Sequence, residues 1–289
     1  MLGPLQSRTG QSGSGQSGPG QSDTGRRVWG ALLFSPLIIL FAASATAAQW
    51  LLLPFAFVML WEFCAILKVQ YPVRFVLAMN FLLFSIPAPI FTQIEALAGM
   101  SLQPVLWTLA GMIVVFVALS TLSKGAQSRL SIVFVILLIA SVLAARGLLG
   151  MEGGHHIVLI LAGMVAACDI MAYFVGRGIG GARLAPAISP NKTRSGAIGG
   201  ILGSIAAGGV VMYFTEISLL EVVVGGAVIA VLAQVGDLAE SALKRGAGVK
   251  DSGRIIPGHG GFLDRFDGYL LTLPSVYIYM MAVSSGIVR

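Results

Sequence analysis

The chain has 289 residues, of which 56% are hydrophobic and only 10% charged, against roughly 25% charged in an ordinary soluble domain. With apolar runs of about 20 residues recurring along its length, this balance excludes a soluble globular fold and predicts an all-α, polytopic integral membrane protein. The net charge of +6 has three candidate causes, nucleic acid, anionic lipid or membrane topology, and the positions of the charges decide between them.

Residues 1–27 repeat Gly-Gln-Ser from Gly10, Gly15 and Gly20 and carry almost no bulky apolar residue after Leu5. Such a segment buries too little surface to offset its ordering entropy, so a disordered tail is expected, ahead of a transmembrane catalytic domain over 28–289. An apolar run follows Arg26 and Arg27, but the long polar region before it argues for a retained first helix rather than a signal peptide. Nine spans are predicted: 28–47, 48–67, 72–94, 103–122, 130–148, 153–176, 195–214, 217–243 and 266–286. The first boundary, at Ala47 to Gln49, is a poor loop, and a re-entrant or tilted pair is the alternative there. Gly196, Gly199, Gly200, Gly203, Gly208 and Gly209 crowd the seventh span, as expected where helices approach closely. Cys64 and Cys168 lie inside apolar runs and read as packing residues, with no disulfide or zinc pattern.

With the tail placed in the cytoplasm, all the lysines and arginines except Arg146 and Arg289 fall on the cytoplasmic side. That asymmetry predicts an N-terminus inside, a C-terminus outside and a site on the cytoplasmic face of the inner membrane. Topology accounts for most of the basic excess, so no nucleic-acid partner is expected. His155 and His156, beside Glu152 on the other face, read as loop residues.

Six of the 12 acidic residues, Asp169, Asp237, Glu240, Asp251, Asp264 and Asp267, fall at or between the ends of the sixth, eighth and ninth spans. A carboxylate at membrane depth is costly unless paired or bound to a cation, which makes each a functional candidate. Asp237, Glu240, Ser241 and Lys244 recur at i, i+3, i+4 and i+7 and so share one helical stripe, fit to face a polar cavity. Beyond them runs Lys250-Asp251, then Pro257-Gly258-His259-Gly260-Gly261 and Asp264-Arg265-Phe266-Asp267. The glycines permit close approach to a bulky anion and the cations supply phosphate counter-charge. Hard carboxylate oxygens suit Mg²⁺ completed by substrate phosphates. Asp264 and Asp267 are placed at the opening of the ninth helix, on one face. In the loop before the seventh span, Asp169 and Tyr173 share a helix face, Arg177 follows, and Ser189, Asn191, Lys192 and Thr193 offer hydroxyls, an amide and an ammonium at a helix N-terminus.

The stretch from Ser241 to Asp267 resembles the signature of phosphatidate cytidylyltransferases, also called CDP-diglyceride synthases: Ser-x-apolar-Lys-Arg, Lys-Asp, Pro-x-His-Gly-Gly and Asp-Arg-x-Asp, with every fixed position filled. Gln234 to Asp237 and the loop from Asp169 to Gly196 are similar to the family too, as is Trp61-Glu62 in the early helices. The second loop departs where Arg194-Ser195 replaces an expected Trp-Glu and Gly181 stands in place of a common lysine. Arg183 and Arg194 offer compensating charge.

The resemblance implies transfer of a cytidylyl group from CTP to phosphatidic acid, giving CDP-diacylglycerol for phospholipid biosynthesis. It implies Mg²⁺, with a second cation left open, on Asp237 and Asp264 first, then Asp251 and Asp267. Lys244, Arg245, Lys250 and Arg265 are then phosphate contacts. Asp169, Tyr173, Arg177, Ser189, Asn191, Lys192, Thr193, Ser241, Gly260 and Gly261 form the substrate-binding set. His259 has two readings, a turn residue bonded to backbone or a donor to departing pyrophosphate. For Asp169 the alternative is a packing carboxylate bonded to Tyr173, and for Glu240 a simple pair with Lys244. Glu62 is assigned to the cavity lining or an internal pair rather than to metal. The bilayer surrounds the chain, and a homodimer is compatible with the glycine-rich faces. Two other functions stand beside this one: a CTP-dependent lipid-alcohol kinase and an anion transporter. The unbroken signature favours cytidylyl transfer over the first; charge gathered at one face argues against the second.

Overall fold

The computed structural model describes residues 39–85, 93, 126–215, 217–253, 255 and 260–287. The predicted span 103–122, most of 28–47, the tail and His259 lie outside them. Helix α1 is Ala45–Ile66, opened by Ser44, whose extended backbone lets its hydroxyl accept from the Ala47 N–H at 3.2 Å. This moves the predicted boundary: helical residues 39–43 stop at Ser44 rather than at Ala47 to Gln49, because Ser44 offers a cap and the alanines after it have no reason to leave the helix. Lys68, in the left-handed region at φ 58°, turns the chain into α2, Tyr71–Phe84.

Helix α3 is Ala126–Leu149 and α4 is Gly154–Ile179, so His155 and His156 occupy the first turn of a helix instead of a loop. A departure from the all-helical expectation follows: β1, Arg183–Ala185, pairs antiparallel with β2, Ser189–Thr193, with Arg183 opposite Thr193 and Ala185 opposite Ser189. Thr193 then caps α5, Arg194–Phe214, accepting from the Gly196 N–H at 3.1 Å. Ser218 and Glu221 form a reciprocal capping box at the head of α6, Leu219–Gly246. A single 3₁₀ turn, Leu263–Arg265, leads to α7, Tyr269–Ser284. The ninth predicted span therefore starts three residues late, with Asp264 and Asp267 in the turns ahead of the helix rather than in its first turn.

Five described helices, α1, α3 from Arg129, α4, α5 and α6, are long and apolar enough to cross a bilayer, and α7 is a shorter apolar helix. Their packing follows from small residues. On α5, a Cβ at Gly196 would lie 2.7 Å from the Ala172 carbonyl, and one at Gly203 would lie 2.6 Å from both the Ala167 carbonyl and the Met171 side chain. Only glycine lets α5 lie this close to α4. On α6, a Cβ at Gly226 would come within 2.9 Å of the Ile205 Cα, so α6 nests on the other side of α5. Large apolar side chains such as Phe174, Ile198, Leu202 and Val224 stay exposed along these helices, which suits a lipid surrounding.

The second packing centre joins α1, α2 and α3 to the segment between α6 and α7. Phe63 stacks on Phe134 at 5.3 Å, while Phe262 and Phe266 lie 4.9 and 5.5 Å from Phe55 of α1. Phe63, Leu138, Leu243, Leu263 and Leu270 are all fully buried there. Ser141 of α3 donates to the Leu270 carbonyl at 2.8 Å, tying α7 to the same centre. Cys64 and Cys168 are buried and unbridged, as expected of packing residues.

Candidate functional site

The predicted stripe on α6 forms. Ser241 donates to Asp237 Oδ1 at 3.4 Å and Lys244 to Glu240 Oε2 at 2.9 Å, both one helical turn apart. Two members of the stripe, Asp237 and Lys244, then meet distant segments. Lys192, projecting from β2, makes an ion pair with Asp237 Oδ2, which places the β-hairpin against the end of α6. Lys244 reaches Asp264 Oδ1 at 2.6 Å. Two cations and three carboxylates from the hairpin, α6 and the 3₁₀ turn are thereby interleaved.

Asp264 is the hub of the loop. Besides Lys244, it accepts from the Ser252 N–H at 3.1 Å to each oxygen and from the Gly261 N–H at 2.9 Å. Burial pushes its carboxyl upward, but the Lys244 ammonium and the Gly261 and Ser252 N–H groups outweigh that and hold it below the usual carboxylate value. Gly260 makes the cradle possible: its φ of 82° and the 3.0 Å between an added Cβ and Asp264 Oδ2 leave no room for a side chain. Asp251, exposed, borders the same glycine.

Asp267 has the opposite environment. Its Oδ1 accepts from the Gly268 N–H at 2.6 Å. Burial, then the negative charges of Asp237 and Glu240, raise its carboxyl well above the ordinary value. Gly236 brings it there, because the Asp267 carbonyl lies where a Cβ on residue 236 would stand. Asp169, on α4, shares this field with Asp237, Lys192 and Arg265.

These residues fit Mg²⁺ as a partial shell. Among the described residues, no group of three Asp, Glu, His or Cys side chains is arranged to hold an ion unaided. Mg²⁺ asks for only one or two protein carboxylates beside water and phosphate oxygens. Asp237 and Asp267 offer hard oxygens in a place where like charges crowd, and a dication relieves that crowding. Asp264, with both oxygens held by protein donors, has to release Lys244 before it ligates an ion, and Asp237 likewise has to release Lys192.

The remaining expected residues are distributed less tightly. Tyr173 accepts from Arg177 at 2.7 Å and makes no hydrogen bond to Asp169, and both Tyr173 and Arg177 are exposed. Thr193 commits its hydroxyl to the cap of α5. Asn191 takes the Arg183 guanidinium on its own carbonyl at 3.4 Å, so that arginine braces the hairpin. Ser195 donates to the Gly180 carbonyl, closing the hairpin base. Ser189 is half-buried on β2. Arg245 is exposed and bonds the Val249 carbonyl at 3.2 Å, and Lys250 is exposed beside it. Arg265 is exposed at the 3₁₀ turn.

Sequence reasoning placed Glu62 in the cavity lining or an internal pair but missed its partner Ser252. Glu62, buried in α1, accepts from the Ser252 hydroxyl at 2.9 Å and the Leu263 N–H at 2.7 Å. A lone carboxylate in an apolar helix was the signal for Glu62; Ser252 carried none.

Comparison with known proteins adds an independent line. A family model described as "Cytidylyltransferase family" matches residues 24–283. The chain is 45% identical over 133 residues to a phosphatidate cytidylyltransferase of Brucella abortus, a match covering 44% of this chain and 47% of that protein. It is 42% identical over 134 residues to the protein of the same name from Staphylococcus saprophyticus, covering 46% and 51%. The chain thus spans about half the length of the curated relatives it matches.

Proposed function

We propose, from the premise that the chain belongs to the cytidylyltransferase family, that it transfers a cytidylyl group from CTP to phosphatidic acid, leaving CDP-diacylglycerol in the membrane. The observation that carries this reading is the interleaving of Lys192, Asp237, Lys244 and Asp264 from three chain segments. An arrangement of alternating charges at the end of a membrane helix suits two polyanions that must meet at a lipid surface.

In the reaction, a phosphate oxygen of phosphatidic acid attacks the α-phosphorus of CTP. The bond from that phosphorus to the bridging oxygen breaks, and pyrophosphate departs with the electron pair. The attacking monoester, with a second pKa of about 6, is already ionised near neutral pH, so the chain need not supply a strong base. Its task is to neutralise charge between two anions and to align them. Lys244 and Lys192 exchange carboxylate partners for phosphate oxygens, Arg245, Lys250 and Arg265 add counter-charge, and Ser241, Gly260 and Gly261 border the nucleotide. His259 donates to the departing pyrophosphate. Asp237 and Asp267 hold Mg²⁺, which when bound supplies counter-charge to the nucleotide phosphates. Asp264 shapes the loop and joins that set once Lys244 turns to substrate, with Asp251 beside it. Asp169, Tyr173, Arg177, Ser189, Asn191 and Thr193 line the side from which the lipid headgroup enters.

The five long helices belong to a set of nine crossings, with the N-terminus and a polar cavity facing the cytoplasm. The test is incubation of purified protein with labelled CTP, Mg²⁺ and phosphatidic acid. A labelled CDP-lipid with release of pyrophosphate is expected. A phosphorylated lipid alcohol with CDP, formed when an alcohol replaces phosphatidic acid, points to a kinase instead.

A further inference from the structure

Glu62 stands apart from the charged cluster: it belongs to α1, is only 2% exposed, and touches neither Lys192 nor Lys244. Its Oε2 receives two hydrogen bonds, from the Ser252 hydroxyl and the Leu263 N–H, across 190 and 201 residues of sequence. Those two partners are the neighbours of Asp251 and Asp264, one at each stem of the signature loop. The carboxyl group is fitted closely. A Cβ at Gly253 would run into Glu62 Oε1, and one at Gly261 would lie 2.7 Å from Oε2. Oε1 itself is buried without a hydrogen-bond partner. A carboxyl group with one orphaned oxygen in an otherwise apolar core is costly for packing alone. Both bonds that justify it run to the loop.

We propose that Glu62 is a positioning residue for the transfer reaction: it pins Ser252 and Leu263 together from α1 and thereby fixes where Asp264 and Lys244 stand. The inference rests on the function proposed above. Through the Ser252 N–H to Asp264 bonds and the Lys244 to Asp264 pair, a displacement of either stem moves the groups that meet phosphate. Glu62 acts through that loop without contact to the reacting atoms.

The test compares Glu62→Ala, Glu62→Gln and Ser252→Ala in the full chain, purified in detergent, by amide hydrogen exchange and by steady-state kinetics. In Glu62→Ala the amides of residues 250–253 and 260–264 should exchange about tenfold faster while those of α4 and α5 stay as in wild type. Its kcat should fall at least about tenfold with the KM for phosphatidic acid within about twofold. Glu62→Gln keeps an acceptor oxygen for the Leu263 N–H and should recover most of both properties; Ser252→Ala, losing one tie, should fall between. Wild-type exchange in the loop of Glu62→Ala, or a Gln variant as impaired as Ala, overturns the proposal. If Glu62→Ala does not fold, the contrast between Glu62→Gln and Ser252→Ala with wild type decides, and unchanged exchange in Ser252→Ala overturns it. Exchange is read without substrate, so a wild-type protein that transfers no cytidylyl group removes the function and leaves the loop measurement standing.

Discussion

The carboxylates of the site divide by what surrounds them. Asp264 is held ionised by an ammonium and two backbone N–H groups, whereas Asp267 is half-buried beside Asp237 and Glu240. An acid whose folded pKa is raised weakens the folded state at every pH above its unfolded value near 3.9, and the cost disappears as the pH drops below that value. At neutral pH without metal, Asp267→Asn should therefore melt higher than wild type by about 2–4 °C, the shift produced by about 1 kcal/mol in a chain of this size. Mg²⁺ should raise the wild-type midpoint and leave that of Asp267→Asn unchanged. Thermal melts in EDTA and in Mg²⁺ check both halves; a variant that melts lower than wild type in EDTA removes the crowding argument. Lys244 shows why such charges are interdependent. It serves Glu240, which is 0% exposed, and Asp264 together, so its loss strands a buried carboxylate at a cost of about 3–5 kcal/mol.

At the scale of elements, the starts of α5 and α6 were legible, while that of α1, set by Ser44 inside a continuous apolar run, was not. Thr193 and Ser218 sit beside the start of their helices, so α5 and α6 begin within two residues of the expected positions. The hairpin of β1 and β2 was not legible: a three-residue strand and a five-residue strand holding Pro190 and Asn191 are too short to show alternation, and it is their pairing with each other that defines them. The same contrast holds in the site. Pairs one turn apart, Asp237 with Ser241 and Glu240 with Lys244, follow from helix periodicity. Lys192 to Asp237 depends on how the hairpin folds back over 45 residues. The glycine-rich face was legible in composition, and the structure says which glycines matter. Gly203→Leu should force α4 and α5 apart and destabilise by about 1–3 kcal/mol. Gly209→Ala, with nothing within 4 Å of an added Cβ, should be neutral or slightly stabilising. Detergent melts of the two variants make the comparison, and equal effects sink the packing account.

For the molecule as a whole, the apolar runs announced a helical membrane protein, and the structure supplies the spatial sorting of its ends. Gln49, at the head of α1, donates to the Leu149 carbonyl at the foot of α3, while Glu62, near the foot of α1, meets the loop after α6. The turn 150–153 and the loop 247–253 therefore lie at opposite ends of the bundle. Single cysteines introduced at Glu152 and at Gly248, in a chain whose two buried cysteines are replaced, should label from opposite sides of sealed vesicles. Labelling of both from one side contradicts the arrangement.

The tie from α1 to the signature loop also sets an order of events in the making of the protein. Glu62 emerges 190 residues before Ser252, which at about 5–20 residues per second is roughly 10–40 s of synthesis. During that interval its carboxyl group has no loop to bond. Its place in the last turn of α1 lets it wait near the aqueous boundary, where an ionisable side chain is cheapest to hold. Helix α1 thus carries a fastening that closes only once the chain after α6 has been made.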